Sequence, residues 1–241
     1  MVPLSSCPRK GFLILSPNLI RKKSLSSVNG GRQMLKAVIN QAMQSGLAPN
    51  ISDSHTINGH PGPFPNCSSQ GYSLHVETGK TYLLRIINAA VNDELFFKIA
   101  GHNLTIVEVD ATYVKPFSID TVFIAPGQTT NALLTANHDT GKFLIAISPF
   151  MDTVVAVDNL TATGILRYKG THAFFPTSLT TLPPLNATPV TNSFILSLKS
   201  LNSIQYPAKV PLTVDHSLFF TIGVGINPCR HVSMEARLLG I

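Results

Sequence analysis

The sequence predicts an all-β sandwich with Greek-key connections, and three observations carry that prediction. Short runs rich in Val, Ile, Leu, Thr and Phe recur between Tyr72 and Tyr168. Turn formers separate them: Thr78-Gly79, Gly101-His102, Pro116, Pro126-Gly127, His138-Asp-Thr-Gly141 and Asp158-Asn159. Charged residues make up only 12% of the 241 residues and hydrophobic ones 44%, with 16 Gly and 17 Pro. That balance suits a turn-rich β domain rather than a disordered chain.

Taken in order, residues 1–32 show no sustained periodicity and are expected to be irregular. Arg9, Lys10, Arg21, Lys22, Lys23 and Arg32 crowd this segment, and no acidic residue precedes Asp53. No recognition motif or interleaved aromatic accompanies them, so a basic tail is expected rather than a nucleic-acid or membrane contact. Gly11-Phe-Leu-Ile-Leu15 is too short and broken for a signal or membrane-spanning segment.

From Gln33 to Ser45 the period becomes helical. Met34, Leu35, Val38, Ile39, Ala42 and Met43 fall on one stripe, and Gly46 stands at a C-cap position. Residues 33–49 are therefore one helix and its connection. Strands are expected over Tyr72–Val76, Tyr82–Asn88, Leu95–Ala100, Leu104–Asp110, Ile119–Ala125, Thr129–Ala136, Phe143–Ser148 and Thr161–Tyr168, within a domain spanning residues 50–170. Leu104, Ile106 and Glu108 alternate with Thr105, Val107 and Val109, whereas Phe143-Leu-Ile-Ala-Ile147 is apolar on both faces, as a covered central strand would be. Residues 171–211 read as a Pro-rich linker, because Pro176, Pro183, Pro184 and Pro189 argue against a regular element. In residues 212–241, Phe219–Val224 suggests one more strand and His231–Leu239 a short helix.

Chemistry-bearing residues are sparse. Cys7, Cys67 and Cys229 are too scattered for a disulfide framework or a zinc site. His60, Cys67 and His75 are the one Cys/His grouping, open to a metal reading or to Cys67 as half of a disulfide. His55, His102 and His138 are expected at turns or strand ends in surface or capping roles. Asp110, Tyr113 and Lys115 suit either acid–base work or a turn between strands. Five Asn-x-Ser/Thr triplets, at Asn50, Asn66, Asn103, Asn159 and Asn186, favour a secreted glycoprotein.

Several phrases resemble the middle domain of plant laccases, secreted multicopper oxidases built from three cupredoxin-type sandwiches. They are Ala37–Asn50, Thr56-Ile-Asn-Gly59, Gly79–Ala90, Asn92-Asp-Glu-Leu-Phe-Phe97, Val109–Phe117 and Ile124-Ala-Pro-Gly-Gln-Thr-Thr-Asn131. Leu212–Gly225 resembles the opening of a third domain, so 212–241 would be its remnant. The resemblance implies a cupredoxin-like fold, apoplastic location and copper-dependent one-electron oxidation of phenols coupled to reduction of dioxygen to water. It also implies that Asn92, Asp93 and Glu94 approach the phenol pocket, where a carboxylate can accept the phenolic proton, and that Cys67 would pair with a first-domain cysteine.

The copper motifs of that family are His-x-His pairs and a Cys flanked by His. The eight histidines here, His55, His60, His75, His102, His138, His172, His216 and His231, include no such pair, and none adjoins a Cys. The expectation is therefore a laccase-like chain with no catalytic or metal-ligating residues of its own, inactive alone. The other reading is a truncated isoform or non-catalytic interaction module, whose partner the sequence does not name.

Overall fold

A computed structural model describes residues 22–30, 35–46, 52, 54–60, 62, 71–90, 93–151, 160–202, 204, 207, 211 and 213–221. The chain divides into two compact units, residues 1–32 with 52–201 and residues 33–51 with 202–241.

The first unit is a two-layer sandwich. Its strands are β1 (Lys22–Gly30), β2 (Ser54–Ile57), β3 (Tyr72–Val76), β4 (Thr81–Asn88), β5 (Glu94–Ile99), β6 (Leu104–Val109), β7 (Thr112–Ile119), β8 (Thr121–Ile124), β9 (Thr129–Thr135), β10 (Lys142–Phe150), β11 (Ala162–Tyr168) and β12 (Thr177–Ser178). One sheet runs β2-β1-β4-β9-β6-β7 and the other β3-β11-β10-β5-β8, with β12 beside β10. Most pairs are antiparallel, but β1–β4, β3–β11 and β10–β12 are parallel.

The core lies between the layers. β4 shows why the sequence folds this way: Tyr82, Leu84, Ile86 and Asn88 are buried while Thr81 and Arg85 face water, the period of two that a half-covered strand requires. Phe143, Ile145, Ala146 and Ile147 are all buried in β10, which sits between β11 and β5 as its two apolar faces predict. Tyr82, Tyr168, Phe96, Phe97 and Phe194 are the bulkiest fully buried side chains. Burial of this apolar surface, at roughly 25 cal/mol per Å2, is the main force holding the layers together.

Turn chemistry fixes the register. Asn58 and Gly59 take left-handed φ values of 49° and 79° between Ile57 and His60, which exchange backbone hydrogen bonds. This is the two-residue hairpin turn that an Asn-Gly pair favours. The Asn58 amide oxygen also accepts from the Ser26 N–H at 2.8 Å, locking β1 onto the turn. Pro126 and Gly127 (φ 76°) build the turn that returns Gln128 N–H to the Ala125 carbonyl.

Within the sandwich the structure departs from the sequence expectations at four elements, and further departures lie outside it. Part of the expected irregular tail forms β1, with Leu25 in the core. β2 rises within what reads as a connection. β7 was read as a turn because Pro116 interrupts it, yet β7 lies at the edge of its sheet, where proline is tolerated. A bulge between Ile106 and Glu108 breaks the alternation of β6, so Leu104, Ile106 and Val109 are all buried.

The expected linker also carries structure. Among the described residues, helix α1 (Leu35–Ser45) is followed by helix α2 (Thr188–Ser197) within the expected linker. Pro189 stands in the first turn of α2, where a missing N–H costs nothing, so it starts this helix instead of excluding it. Phe194 is buried against Phe117, 5.8 Å between ring centroids. Beyond α2, Lys199 and Leu201 bond the outer edge of β7.

In the second unit, α1 ends as expected, with Gly46 at φ 65° and its N–H on the Ala42 carbonyl at 2.8 Å. Ile39 and Met43 on its apolar stripe are exposed. Phe219, Phe220 and Thr221 form no strand, contrary to expectation, and the expected helix at 231–239 lies outside the described residues.

Candidate functional site

β4 and β5 are joined by the segment bearing Asn92, Asp93 and Glu94. Asn92 lies outside the described residues. Asp93 precedes β5 at the rim of the sandwich with its side chain 14% exposed. Glu94 opens β5 opposite Phe150 of β10 and is half-buried.

Asp93 is held at two points. The fully buried Asn88 donates from its amide to the Asp93 carbonyl at 2.7 Å and to the Ile124 carbonyl at 3.0 Å, while its oxygen accepts from the Ala90 N–H. One side chain thus fixes the end of β4, the loop after it and the end of β8. The Asp93 carboxylate meets His55, whose Nε2 lies 3.2 Å from Oδ2. The His55 ring is itself buried in β2, with Nδ1 3.1 Å from the Leu160 carbonyl. This corrects the expectation of a surface or capping role for His55. The only sequence signal was its place two residues before the Asn-Gly turn, and nothing in a four-residue strand reveals which partner lies 38 positions away.

At the other end of β5 a second histidine is buried. His102 donates from Nδ1 to the Ala100 carbonyl at 2.7 Å, so its Nε2 accepts the Tyr168 hydroxyl at 2.8 Å. Phe143 lies edge-on to that ring at 4.7 Å and His138 at 4.8 Å. Burial lowers the His102 pKa against the opposing Ala100 bond, and the neighbouring His138 lowers it further. Burial also raises the Tyr168 pKa. His138 remains at a turn, its Nε2 on the Gly101 carbonyl at 3.1 Å.

Other candidates separate. Cys7, Cys67 and Cys229 lie outside the described residues. His75 faces solvent beside Ser73, and His60 sits in the bridge to Ile57. Asp110 is a turn residue with φ 46°, its Oδ1 accepting the Thr129 N–H at 2.7 Å, so the turn reading holds for it, while Tyr113 and Lys115 belong to β7. Of the glycosylation candidates, Asn103 and Asn186 are exposed, and Asn50, Asn66 and Asn159 lie outside the described residues.

Copper needs convergent imidazole and sulfur donors. Among the described residues no three of His, Cys, Asp and Glu stand together as a metal-binding group. The closest histidine pair, His102 and His138, has its bonded nitrogens turned to Ala100, Tyr168 and Gly101. This donor set does not fit a copper ion.

The family model for multicopper oxidase matches residues 33–171. The chain belongs to the multicopper oxidase family. Laccase-4 of Arabidopsis thaliana is 65% identical over 222 residues, 92% of this chain and 40% of that protein. Laccase-22 of Oryza sativa subsp. japonica is 59% identical over 85% of this chain and 37% of its own length. The chain thus spans well under half of these relatives. The longer match necessarily takes in part of residues 1–32, the segment expected to be an irregular basic tail. The crystal structure of the laccase from Botrytis aclada superposes with a TM-score of 0.57 at 25% identity, over 71% of this chain and 34% of that one. The cupredoxin-like fold of this family is the sandwich described above.

Proposed function

We propose that this chain is the middle, copper-free sandwich of a laccase-type oxidase and supplies one wall of a phenol pocket. The observation that carries the reading is the largely buried Asp93 at the rim, its carboxylate set by His55 and its backbone carbonyl by Asn88. Asp93 accepts the phenolic proton as the substrate is oxidised, and Glu94 borders the same rim, with Asn92 next to them in sequence. A carboxylate held in place before the substrate arrives loses little freedom on binding, which favours proton transfer at a defined atom. The family reaction, copper-dependent oxidation of phenols with reduction of dioxygen to water, belongs to a complete enzyme whose His-x-His motifs this sequence does not contain. Exposed Asn103 and Asn186 support a secreted, glycosylated, apoplastic protein.

Copper loading followed by metal analysis, absorbance and oxygen uptake tests the reading. The chain takes up no stoichiometric copper and consumes no oxygen with a simple phenol, while millimolar phenol shifts amide signals around Asp93 and Glu94. Stoichiometric copper with intense blue absorbance, or oxygen uptake, would overturn it.

A second reading, an interaction module without catalysis, is favoured by the exposed Leu218, Phe219 and Phe220. Sedimentation tests it: concentration-dependent association that their replacement by Ser abolishes would support the module.

A further inference from the structure

The buried ring of His55 has acceptor oxygens on both sides, the Leu160 carbonyl at Nδ1 and the Asp93 carboxylate at Nε2. A carbonyl only accepts, so Nδ1 carries a hydrogen. When the Asp93 carboxylate is ionised it too only accepts, and Nε2 then carries a hydrogen as well. A ring protonated at both positions is the imidazolium. We propose that His55 is the positioning residue of this site, a buried imidazolium that aims Asp93 and keeps its carboxylate ionised. The inference rests on the reading of Asp93 as proton acceptor for a phenol and adds the residue that makes it one.

Three features support it. The His55 side chain is fully buried and that of Asp93 nearly so, a setting in which an ion pair bonded at its remaining donors persists and a lone charge does not. The Asp93 backbone is fixed separately through Asn88, so His55 has only the carboxylate to orient. β2 is itself clamped, paired along β1 and closed by the turn that Asn58 ties to Ser26, which holds the ring in place. Lys98 of β5 bonds Asp120, and Arg167 of β11 donates to the Thr171 carbonyl near the opposite end. Glu94 is a second carboxylate beside Asp93 and favours the same charge on His55. Lys23 of β1 pairs with Leu84, four residues before Asn88 in β4.

The step is balanced. The phenolic O–H bond breaks as its electron leaves for the oxidant of the complete enzyme, and the proton passes to the Asp93 carboxylate. His55 keeps both of its hydrogens throughout. It makes the carboxylate available without joining the transfer.

Nitrogen-15 spectra of the histidine rings in the full 241-residue chain test the proposal at about pH 7.5, above the ordinary histidine value. His55 gives two protonated ring nitrogens, and His102 gives one protonated and one bare. Asp93→Asn removes the anion, and His55 then shows one bare nitrogen. His55→Gln, which retains a donor but no charge, weakens the phenol-induced shifts near Asp93 by roughly tenfold in affinity. A bare nitrogen on His55 in the unsubstituted chain would mean a neutral ring beside a carboxylic acid and would overturn the positioning role, even if phenol binds at Asp93. An imidazolium in a chain that phenol does not perturb would instead sink the phenol reading and leave only a structural ion pair.

Discussion

The two ends of β5 each bury a histidine, and the two sites differ in one partner. Both rings set Nδ1 against a backbone carbonyl, Leu160 for His55 and Ala100 for His102. At Nε2, His55 meets a carboxylate and His102 meets a phenol hydroxyl. A hydroxyl can donate, so His102 stays neutral and serves as a polar rivet between the turn after β5 and β11. An ionised carboxylate cannot donate, so the same ring at the other end carries charge and faces a rim residue. The difference separates a structural histidine from one suited to a site, though both are equally hidden from water.

The sharpest way to break this contrast is to remove the anchor at the Asp93 end. Asn88→Ala leaves the carbonyls of Asp93 and Ile124 and the Ala90 N–H without their partner. Urea unfolding should show a loss of about 3 kcal/mol or more. Tyr168→Phe strikes the opposite end, stripping the donor from His102 Nε2 in a buried site. Its expected cost is smaller, about 1–3 kcal/mol by the same measurement, and the Asp93 end should be untouched.

A pH series sharpens the contrast further. Folding lowers the His102 pKa, so the unfolded chain binds the extra proton more readily. The stability this residue contributes is therefore complete above the unfolded value of about 6.5 and is lost as pH falls through the lowered folded value. Melting temperatures of the unsubstituted chain should fall across that window more steeply than those of His102→Gln. A parallel slope in both would remove His102 as the cause.

The smallest effect belongs to Asp120, whose pKa is lowered chiefly by its 2.8 Å hydrogen bond from Lys98. More than half of the Asp120 side chain is exposed, so solvent screens the pair. Asp120→Asn should change stability by less than about 0.5 kcal/mol, which a urea titration can check against the two buried sites.

Much of the fold was legible because its signals are local. Gly46 encodes a helix end and the doubly apolar Phe143–Ile147 a central strand, whereas the Asn58-Gly59 hairpin turn lies in what reads as a connection. β1, β7 and α2 were not legible. A serine-rich strand is recognised only by the neighbours it pairs with. Pro116 and Pro189 break regular structure in general but not at a sheet edge or a first helical turn.

The candidate site divides the same way. Sequence alone determined that Asp93 precedes a strand, that the 241 residues hold no His-x-His pair, and that the fold is a turn-rich β-sandwich, whereas Glu94, expected in the loop, is the first residue of β5. The pairing of His55 with Asp93, the Asn88 anchor and the His102–Tyr168 rivet were decided only by the tertiary structure. His55 and Asp93, 38 positions apart, meet across the two layers, and His102 and Tyr168, 66 apart, meet where the turn after β5 reaches β11, and whether a buried histidine is charged depends on the atom set against it.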